Sequence, residues 1–312
     1  MPSKQTVLQV GATGYTGLMI AKALVTSEQL AVKALVRPTS LSKPETKQLE
    51  ALGVEIIPGD IVTSTAQDLE KALQGIDIVI CTVLAFVDQK PLLLAAKRAG
   101  VKRVVPSDFG PRIPRGVFVM QDLKLATRDF IIENNIPHTF IQVGWWTNFM
   151  FPYPHGVKSS PFEDNGKEFI GAGNVKVAHT AYQSLGEFVK RIVVDPRTLN
   201  KTVQAYDGEI TLEEGWALGT KVSGENFDDY PKVSAEELES RIGRSTLDAL
   251  VYGYAKSLYV RGDNTVENAV KDGALDAREL YPDYQPPSIE ELAKEFYKNP
   301  PTFTYDASEL PV

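Results

Sequence analysis

Three glycines near the start of the chain, Gly11, Gly14 and Gly17, have the spacing of a dinucleotide-binding turn. They follow an apolar run over 6–10 and precede a predicted helix over about 15–26. Gly11 permits a sharp exit from the strand, and Gly14 lets the backbone approach a pyrophosphate without an intervening side chain. Gly17 allows the helix to pack close to the sheet, and the N-terminus of that helix then faces the phosphates. The alternative is a glycine-rich turn that binds no ligand.

The residue that ends the second predicted strand, over 31–36, indicates which dinucleotide is bound. Chains that bind NAD usually carry Asp or Glu there, about 20 residues after the turn, to hold the ribose hydroxyls. This chain carries Arg37, and no acid follows before Glu45. A guanidinium can bond the additional phosphate of NADP through two donors, whereas an acid would repel it. The sequence therefore predicts NADPH as the cofactor, with Lys43 and Lys47 as further candidates for phosphate binding.

Strand and helix patterns alternate along the first half of the chain, as in a parallel sheet covered on both faces. Beyond the first two strands, apolar runs predict four more, over 54–57, 76–82, 103–105 and 138–142. Further helices are predicted over 66–73, 88–99 and 120–134. All six strands are expected to be parallel. The predicted fold class is therefore α/β, a doubly wound parallel sheet of the Rossmann type.

Composition restricts the class of protein. The chain has 312 residues, a formal net charge of −7 and no basic block, which argues against nucleic acid as a partner. No apolar run reaches the length of a membrane span, and residues 1–5 are unlike the start of a secretory signal peptide. The single cysteine, Cys81, lies in an apolar strand and predicts a buried thiol in a reducing compartment, so the cytoplasm is the expected location. The spacing of His138, His155 and His179 predicts no metal site.

The regular alternation ends near Gly144, and an aromatic segment follows up to Gly173. Its large aromatic residues are Trp145, Trp146, Phe149, Phe151, Tyr153 and Phe162. Such a segment suits the wall of a pocket, although aromatic clusters also form ordinary hydrophobic core. The paired tryptophans favour a flat aromatic or polyketide-like substrate held by stacking. The candidate substrate-binding residues are therefore Trp145, Trp146 and Phe149.

Five segments along the chain have distinctive sequences. They are 11–17 (GATGYTG), 35–37 (LVR), 105–110 (VPSDFG), 195–201 (DPRTLNK) and 279–283 (ELYPD). Together they give the chain a resemblance to the isoflavone reductases and phenylcoumaran benzylic ether reductases, a group of atypical short-chain dehydrogenases related to NmrA-like proteins. The resemblance implies an NADPH-binding domain over 1–150 and a smaller C-terminal lobe over 151–312. That lobe is mostly substrate-binding, with about 186–206 returning to the main domain. The resemblance also implies reduction of small, often phenolic, ring compounds, and we expect a monomer or homodimer.

The resemblance identifies a candidate catalytic residue. Members of the group carry a catalytic lysine on the helix after a Pro-Ser-Glu-Phe-Gly-like motif, four residues before an arginine; Lys124 and Arg128 stand at those positions. An ammonium group beside a nicotinamide cation and an apolar pocket has a lowered pKa and can exchange protons near neutrality. Without the resemblance, Lys124 would be interpreted as a surface lysine on an amphipathic helix. Mainstream short-chain dehydrogenases carry tyrosine where this chain has Met120, so proton donation by a tyrosine is not expected at this site.

Some positions depart from these patterns. The mainstream Tyr-x-x-x-Lys pattern does occur at Tyr252 and Lys256, but long after the sixth strand, within a helix predicted over 247–260. We interpret those residues as helix packing in the second lobe. The acid of the Pro-Ser-Glu-Phe-Gly-like motif is Asp108, and the loop over 111–119 is short. Because these departures border the expected pocket, the substrates of plant members are not assumed to transfer.

Two hypotheses of function follow. In the first, the protein is a reductase: Lys124 exchanges a proton with a phenol or enone oxygen of a small aromatic substrate while NADPH delivers a hydride to a conjugated carbon. In the second, it is a redox-sensing regulator like NmrA itself, which binds the dinucleotide without turnover and acts through a protein partner. A lysine at the catalytic position favours the enzyme. The candidate cofactor-binding residues are Gly11, Thr13, Gly14, Tyr15, Thr16, Gly17, Arg37, Lys43, Thr82, Gln89 and Ser107.

Overall fold

A computed structural model of the chain describes residues 4–157, 166–244 and 246–301, so Phe162 of the aromatic segment lies outside the described residues. Strands and helices alternate up to residue 143. They are β1 (Gln5–Val10), α1 (Tyr15–Leu24), β2 (Leu30–Val36), α2 (Pro44–Ala51), β3 (Glu55–Pro58), α3 (Ala66–Ala72), β4 (Ile78–Cys81), α4 (Lys90–Arg98), β5 (Arg103–Val105), α5 (Val119–Glu133) and β6 (Thr139–Val143). Each strand and helix predicted in this part is present, with ends that differ from the prediction by no more than about two residues.

The second half contains shorter strands and more helices. They are β7 (Trp145–Trp146), β8 (Phe169–Ile170), β9 (Lys176–Thr180), α6 (Tyr182–Ile192), β10 (Lys201–Ala205), β11 (Gly208–Thr211), α7 (Leu212–Ser223), β12 (Lys232–Val233), α8 (Ala235–Ile242), α9 (Thr246–Ala255), α10 (Val266–Lys271), β13 (Leu275–Asp276), α11 (Ala277–Leu280) and α12 (Ile289–Lys298). The helix predicted over 247–260 is α9 followed by one wider turn, Lys256–Arg261.

The central sheet is parallel and has the strand order β3-β2-β1-β4-β5. A single parallel bridge between Val104 and His138 joins β5 to the start of β6. The row then continues through β10, which pairs with β6 along its whole length, and through β13. The six predicted strands are therefore parallel, as expected. The row extends by two strands that come from the second half of the chain.

Helices cover both faces of this sheet. On one face, α1 and α6 bury Ile20, Leu24 and Phe188 against the strands. On the other face, the buried side chains of α3, α4 and α5 include Leu69 and Ile131. Strands that are buried on both sides are continuously apolar, as in the Ile-Val-Ile-Cys sequence of β4. The structure is thus a doubly wound α/β fold, and the predicted fold class is confirmed.

The remaining strands form two small sheets beside the main one. In the first, β9 pairs antiparallel with β11 and parallel with β7, and in the second β8 pairs with β12. A separate hydrophobic core lies under them and includes Trp145, Trp216, Leu238 and Tyr259. The main sheet and this second core therefore meet at β7, directly after β6.

Helix N-termini in the chain are capped in different ways. The helix α7 begins with a capping box, in which Thr211 and Glu214 bond each other's backbone N–H groups. The N-cap residues of α1 and α6 are Gly14 and Ala181, and neither offers a side-chain acceptor. At α6, the carboxylate of Asp207 accepts the N–H of Ala181 at 2.7 Å. At α1, the N-cap residue Gly14 supplies no side-chain acceptor to the first turn.

Two further sequence expectations concern burial and membranes. Cys81 is buried in β4, as predicted, and burial raises the pKa of its thiol to about 12. Among the described residues, no helix is both long and apolar enough to cross a membrane.

Candidate active site

The glycine-rich turn joins β1 to α1 at the carboxyl edge of the sheet. Gly11 has φ of +80°, and a Cβ there would lie 2.7 Å from the carbonyl oxygen of Thr82. A Cβ on Gly17 would lie only 2.1 Å from the carbonyl oxygen of Gly11. A Cβ on Gly14 would meet just one atom, that same oxygen, at 3.3 Å. Gly11 and Gly17 are therefore required by packing within the protein, whereas Gly14 borders open space.

The N-terminus of α1 has the properties of an anion-binding site. Its first turn contains no acidic residue, and no side chain caps it. The N–H groups and the helix dipole therefore favour a negatively charged ligand next to Gly14. Thr13 and Thr16 are half-buried beside it, and Tyr15 is 50% exposed.

Arg37 directly follows the last residue of β2 and is exposed. Because β1 and β2 are parallel and pair up to Val10 and Leu35, Arg37 lies at the same edge of the sheet as the glycine-rich turn. Lys43 is also exposed and is the N-cap residue of α2, a short turn further along the same connection. The structure thus brings both cations to the edge where the turn begins.

The ends of neighbouring strands are connected by hydrogen bonds of three polar residues, Thr82, Gln89 and Ser107. Thr82 Oγ1 donates to the carbonyl of Val10 at 2.9 Å, which joins β4 to the turn after β1. The side-chain oxygen of Gln89 accepts the N–H of Ser107 at 2.9 Å, and Ser107 Oγ donates to the carbonyl of Val83. All three residues lie at the carboxyl edge, and each has a hydrogen bond within the protein that fixes the shape of the turn region.

Lys124 lies on α5 and points at the segment that follows β5. Its Nζ donates to the backbone carbonyl of Asp108 at 2.5 Å, and a Cβ on Gly110 would lie 2.7 Å from the same Nζ. Burial lowers the pKa of Lys124, the nearby Asp108 carboxylate opposes that shift, and the positive Arg128 adds to it. The position one turn earlier is Met120, so the helix offers no tyrosine hydroxyl there.

Asp108 and Arg128 form an ion pair behind Lys124. Arg128 Nε donates to Asp108 Oδ2 at 2.7 Å, and the Asp108 carboxylate is only 3% exposed. The guanidinium also lies 5.1 Å from the ring centroid of Phe140 in β6. This pair attaches α5 to the loop after β5, which carries the carbonyl that Lys124 contacts. The sequence identified both residues, but nothing in it indicated that Asp108 holds the two cations.

The two tryptophans of β7 point in opposite directions, as successive strand residues do. Trp145 is 7% exposed and packs into the second core, with its ring 5.2 Å from Phe149 and 5.0 Å from Tyr254. Trp146 is half-buried and stacks on Tyr182 at 4.4 Å. Of the three predicted substrate-binding residues, Trp146 and Phe149 thus retain partly exposed surface.

Tyr182 is a residue of this region that the sequence did not indicate. It is the first residue of α6, and its ring contacts both Trp146 and Tyr15 of the glycine-rich turn. An aromatic residue at the start of a helix is too common to single out in a sequence, so only the contacts reveal its position.

The other candidate residues are part of the packing. Tyr252 OH accepts a hydrogen bond from Arg241 at 3.0 Å, and Lys256 is ion-paired with Glu239. These contacts agree with the interpretation of Tyr252 and Lys256 as residues of helix packing in the second lobe. His179 is buried and its Nδ1 lies 2.9 Å from Thr147 Oγ1. Residues 4–157, 166–244 and 246–301 contain no group of three or more His, Cys, Asp or Glu side chains that could hold a metal ion.

Comparison with known proteins identifies the family of the chain. The sequence model of the NmrA-like family matches residues 3–293. The chain belongs to the NmrA-like family. This NmrA-like protein is 32% identical over 308 residues to asnovolin J 5',6'-dehydrogenase nvfM of Aspergillus novofumigatus. The alignment covers 92% of the chain and 93% of that relative. It is 30% identical to phenylcoumaran benzylic ether reductase Betv6 of Betula pendula, over 95% of the chain and 100% of the relative.

A solved structure agrees with these sequence relatives. The leucoanthocyanidin reductase of Vitis vinifera, solved as a binary complex with NADPH, superimposes on the NmrA-like protein with a TM-score of 0.80 at 26% identity. The match covers 94% of the chain and 100% of that structure. The resemblance to isoflavone reductases and phenylcoumaran benzylic ether reductases is therefore confirmed, and so is the Rossmann-type fold. The NADPH in that relative agrees with the cofactor that Arg37 predicts.

Proposed function

We propose that the protein is an NADPH-dependent reductase of small aromatic, phenolic or polyketide-like compounds in which Lys124 exchanges a proton with a substrate oxygen. The observation that carries the proposal is the position of the Lys124 ammonium group. It lies beside Gly110, after β5, at the carboxyl edge of the sheet from which the glycine-rich turn also leaves. Ligands of doubly wound sheets bind at that edge.

The residues at the turn fit a dinucleotide phosphate. Gly14 borders open space, α1 begins without a side-chain cap, and Arg37 is exposed at the end of β2. NADPH bound there supplies the hydride. The residues that would hold it are Gly11, Thr13, Gly14, Tyr15, Thr16, Gly17, Arg37, Lys43, Thr82, Gln89 and Ser107. These residues belong to the part over 1–150 that we take as the NADPH-binding domain.

Lys124 is arranged to move a proton. The carbonyl of Asp108 accepts a hydrogen bond but cannot take the proton, so it orients the ammonium group without neutralising it. Burial lowers the cost of deprotonation because it disfavours the charged form of Lys124. A general acid or base works best when its pKa lies near the working pH. Lys124 would therefore give a proton to a developing phenolate or enolate oxygen and recover it from water.

The class of substrate is supported by the aromatic segment. Trp146 and Phe149 offer partly exposed ring surface directly before the part over 151–312, where we place most substrate contacts. Flat rings are held well by offset stacking on such side chains. Of the relatives named above, one is a phenylcoumaran benzylic ether reductase, which is named for an aromatic compound, and another is named a dehydrogenase. The direction of the reaction must therefore be tested together with the substrate.

The test is a steady-state assay with a panel of phenolic enones and aryl ethers. Consumption of NADPH is followed with each compound, and the reverse reaction is followed as formation of NADPH from NADP+. We expect at least one compound to be turned over by the wild type and not measurably by Lys124→Ala. Calorimetry with NADPH accompanies the assay. NADPH binding without turnover of any compound would instead favour the regulator that binds the dinucleotide and acts through a protein partner.

A further inference from the structure

The ring of Tyr182 contacts one aromatic side chain from each of the two proposed ligand regions. Its centroid lies 4.5 Å from that of Tyr15, with the ring planes at 83°, so these two rings meet edge to face. On the other side, it lies 4.4 Å from the centroid of Trp146 with the planes at 20°, which is a stacked pair. Favourable aromatic pairs have centroids about 4.5–7 Å apart, so both pairs are in close contact at the short end of that range.

Tyr15 and Trp146 belong to different parts of the site. Tyr15 is the first residue of α1 and directly follows Gly14, so it is part of the turn that would hold the dinucleotide phosphates. Trp146 is in β7, between the main sheet and the second core. No pair of ring centroids within the described residues joins Tyr15 to Trp146 directly, so Tyr182 lies between them.

The backbone around Tyr182 is held firmly. The Asp207 carboxylate accepts the N–H of Ala181 at 2.7 Å, directly before Tyr182. Thr180 Oγ1 accepts the N–H of Gly144 at 2.8 Å and donates to Ala205 at 3.0 Å, which connects this segment to the residue before β7. The backbone that leads into Tyr182 is therefore held in place by hydrogen bonds from two other segments of the chain.

The helix that carries Tyr182 packs directly along α1. A Cβ on Gly186 would lie 2.7 Å from Ala23 Cβ and 2.8 Å from the carbonyl oxygen of Met19. This close approach keeps the start of α6 beside the start of α1, and thus Tyr182 beside Tyr15. The contact between the Tyr15 and Tyr182 rings is therefore built into the packing of α6 on α1.

We infer that Tyr182 is a positioning residue that couples dinucleotide binding at the glycine-rich turn to the orientation of Trp146 in the aromatic segment. The inference rests on the proposed function for the location of the dinucleotide, and it adds a link between the cofactor and the substrate. When the dinucleotide restrains Tyr15, the edge-to-face contact restrains Tyr182, and the stacked contact restrains Trp146. Coupling between two sites is reciprocal, so a flat aromatic ligand that packs on Trp146 strengthens dinucleotide binding by the same factor.

The test measures NADP+ affinity by calorimetry in a double-mutant cycle. Trp146→Leu is expected to weaken NADP+ binding about two- to tenfold, which is the effect of losing one aromatic pair. In a Tyr182→Leu background, Trp146→Leu should have no further effect, because the connection is already broken. Tyr182→Phe keeps the ring and should keep the coupling. If Tyr182→Leu does not fold, Tyr15→Leu breaks the same connection at its other end.

The matched control is Phe296→Leu on α12. Phe296 is a buried aromatic residue whose ring lies 5.0 Å from Tyr153 and 5.5 Å from Phe151, so its loss removes comparable packing elsewhere. It should leave NADP+ affinity unchanged. The inference is wrong if Trp146→Leu binds NADP+ like the wild type, or if it weakens binding equally in the Tyr182→Leu background. A wild type that binds no NADP+ would contradict the proposed function as well. Either of the two results for Trp146→Leu would contradict only the inference and leave the proposed function intact.

Discussion

The Nζ of Lys124 lies 2.5 Å from the backbone carbonyl oxygen of Asp108. The carboxylate of the same Asp108 is ion-paired with Arg128, one turn further along α5. A single residue thus holds both cations of the helix, one through its main chain and the other through its side chain. Because the carboxylate is engaged by Arg128, Lys124 is oriented by a neutral acceptor. This arrangement lets the lysine keep an exchangeable proton while its position is determined by the loop after β5.

The first prediction concerns Lys124. If Lys124 is the proton shuttle, Lys124→Ala should lower turnover of a true substrate by about 10²–10⁴, the usual size of a general acid–base contribution. NADPH affinity should stay within a few fold, because the residues proposed to hold the dinucleotide lie at the turn and at Arg37. Lys124→Arg should not restore turnover, since a guanidinium stays protonated over the working pH range. Single-turnover kinetics and calorimetry on the same samples separate the two effects. Wild-type rates in Lys124→Ala would assign the proton transfer to another group.

The second prediction concerns the ion pair behind it. Arg128→Met leaves the Asp108 carboxylate buried without its partner and should reduce the free energy of unfolding by about 3–5 kcal/mol. The double variant Asp108→Asn with Arg128→Met should lose less of the free energy of unfolding than Arg128→Met alone, because no unpaired buried charge remains. Urea denaturation measures both. Arg98→Met, at an exposed ion pair with Glu70, is the control and should change stability by less than about 1 kcal/mol. A double variant less stable than Arg128→Met would contradict the prediction.

The third prediction concerns the choice of cofactor. Arg37→Ala should weaken the binding of NADPH by about 1.5–3 kcal/mol, which is the contribution of a hydrogen bond to a charged group. The binding of NADH should be nearly unchanged. The reason is that only NADPH carries the additional phosphate. Calorimetric titration of the wild type and the variant with both cofactors measures this. Lys33→Ala is a suitable control, because Lys33 lies in β2 and pairs with Glu55 instead. Equal affinity of the wild type for NADPH and NADH would show that Arg37 does not select the phosphate.

The fourth prediction compares two glycines of the same turn. Gly14 has an extended backbone that any residue adopts, and a Cβ there would meet only the Gly11 carbonyl oxygen, at 3.3 Å, so Gly14→Val should fold with at most a small loss of stability and lose NADPH binding. A Cβ on Gly17 would overlap the carbonyl of Gly11 at 2.1 Å, so Gly17→Ala should lower thermal stability even without cofactor. Thermal shift with and without NADPH distinguishes the two variants. If Gly14→Val is still stabilised by NADPH, the phosphates do not lie beside Gly14.

The fifth prediction concerns pH and His179. Burial, with the positive charge of Arg278 as a smaller cause, lowers the pKa of His179 to about 4. Its unfolded pKa is about 6.5, so below that pH the unfolded chain takes up a proton that the folded protein refuses. Stability is therefore fully present above about pH 6.5 and falls as the pH drops towards 4, by up to about 3 kcal/mol.

The measurement for His179 is the free energy of unfolding in urea at several pH values between 7 and 4. The loss on acidification should be smaller in His179→Gln than in the wild type, because the titrating group is gone. His155 is the opposite case, since Glu225 and Asp229 raise its pKa and it adds stability at low pH. His155→Gln should therefore make the loss steeper. An equal slope for His179→Gln and the wild type would mean that His179 takes up its proton as readily in the folded protein as in the unfolded chain.

Much of the fold could be predicted from the sequence because its signals are local. The alternation of apolar runs with amphipathic segments specifies β1 to β6 and the helices between them, each within a short stretch of chain. The spacing of Gly11, Gly14 and Gly17 likewise describes one turn. Arg37 stands out for the same reason, since it is defined by its distance along the chain from that turn. Lys124 stands out only through the resemblance to the reductase family, because its local pattern is that of a surface lysine on an amphipathic helix.

The tertiary structure decided what depends on residues far apart in the chain. The pairing of β10 with β6 and the position of β13 bring the second half of the chain back to the main sheet, and no local pattern encodes that pairing. The sequence could not tell which of Trp145 and Trp146 packs into the core, because both are equally apolar and only the sheet determines which face is covered. The contact of Tyr182 with Tyr15 and Trp146 arises from the packing of α6 on α1. Such contacts follow from how preformed elements fill space together, which is a property of the whole chain and not of any segment.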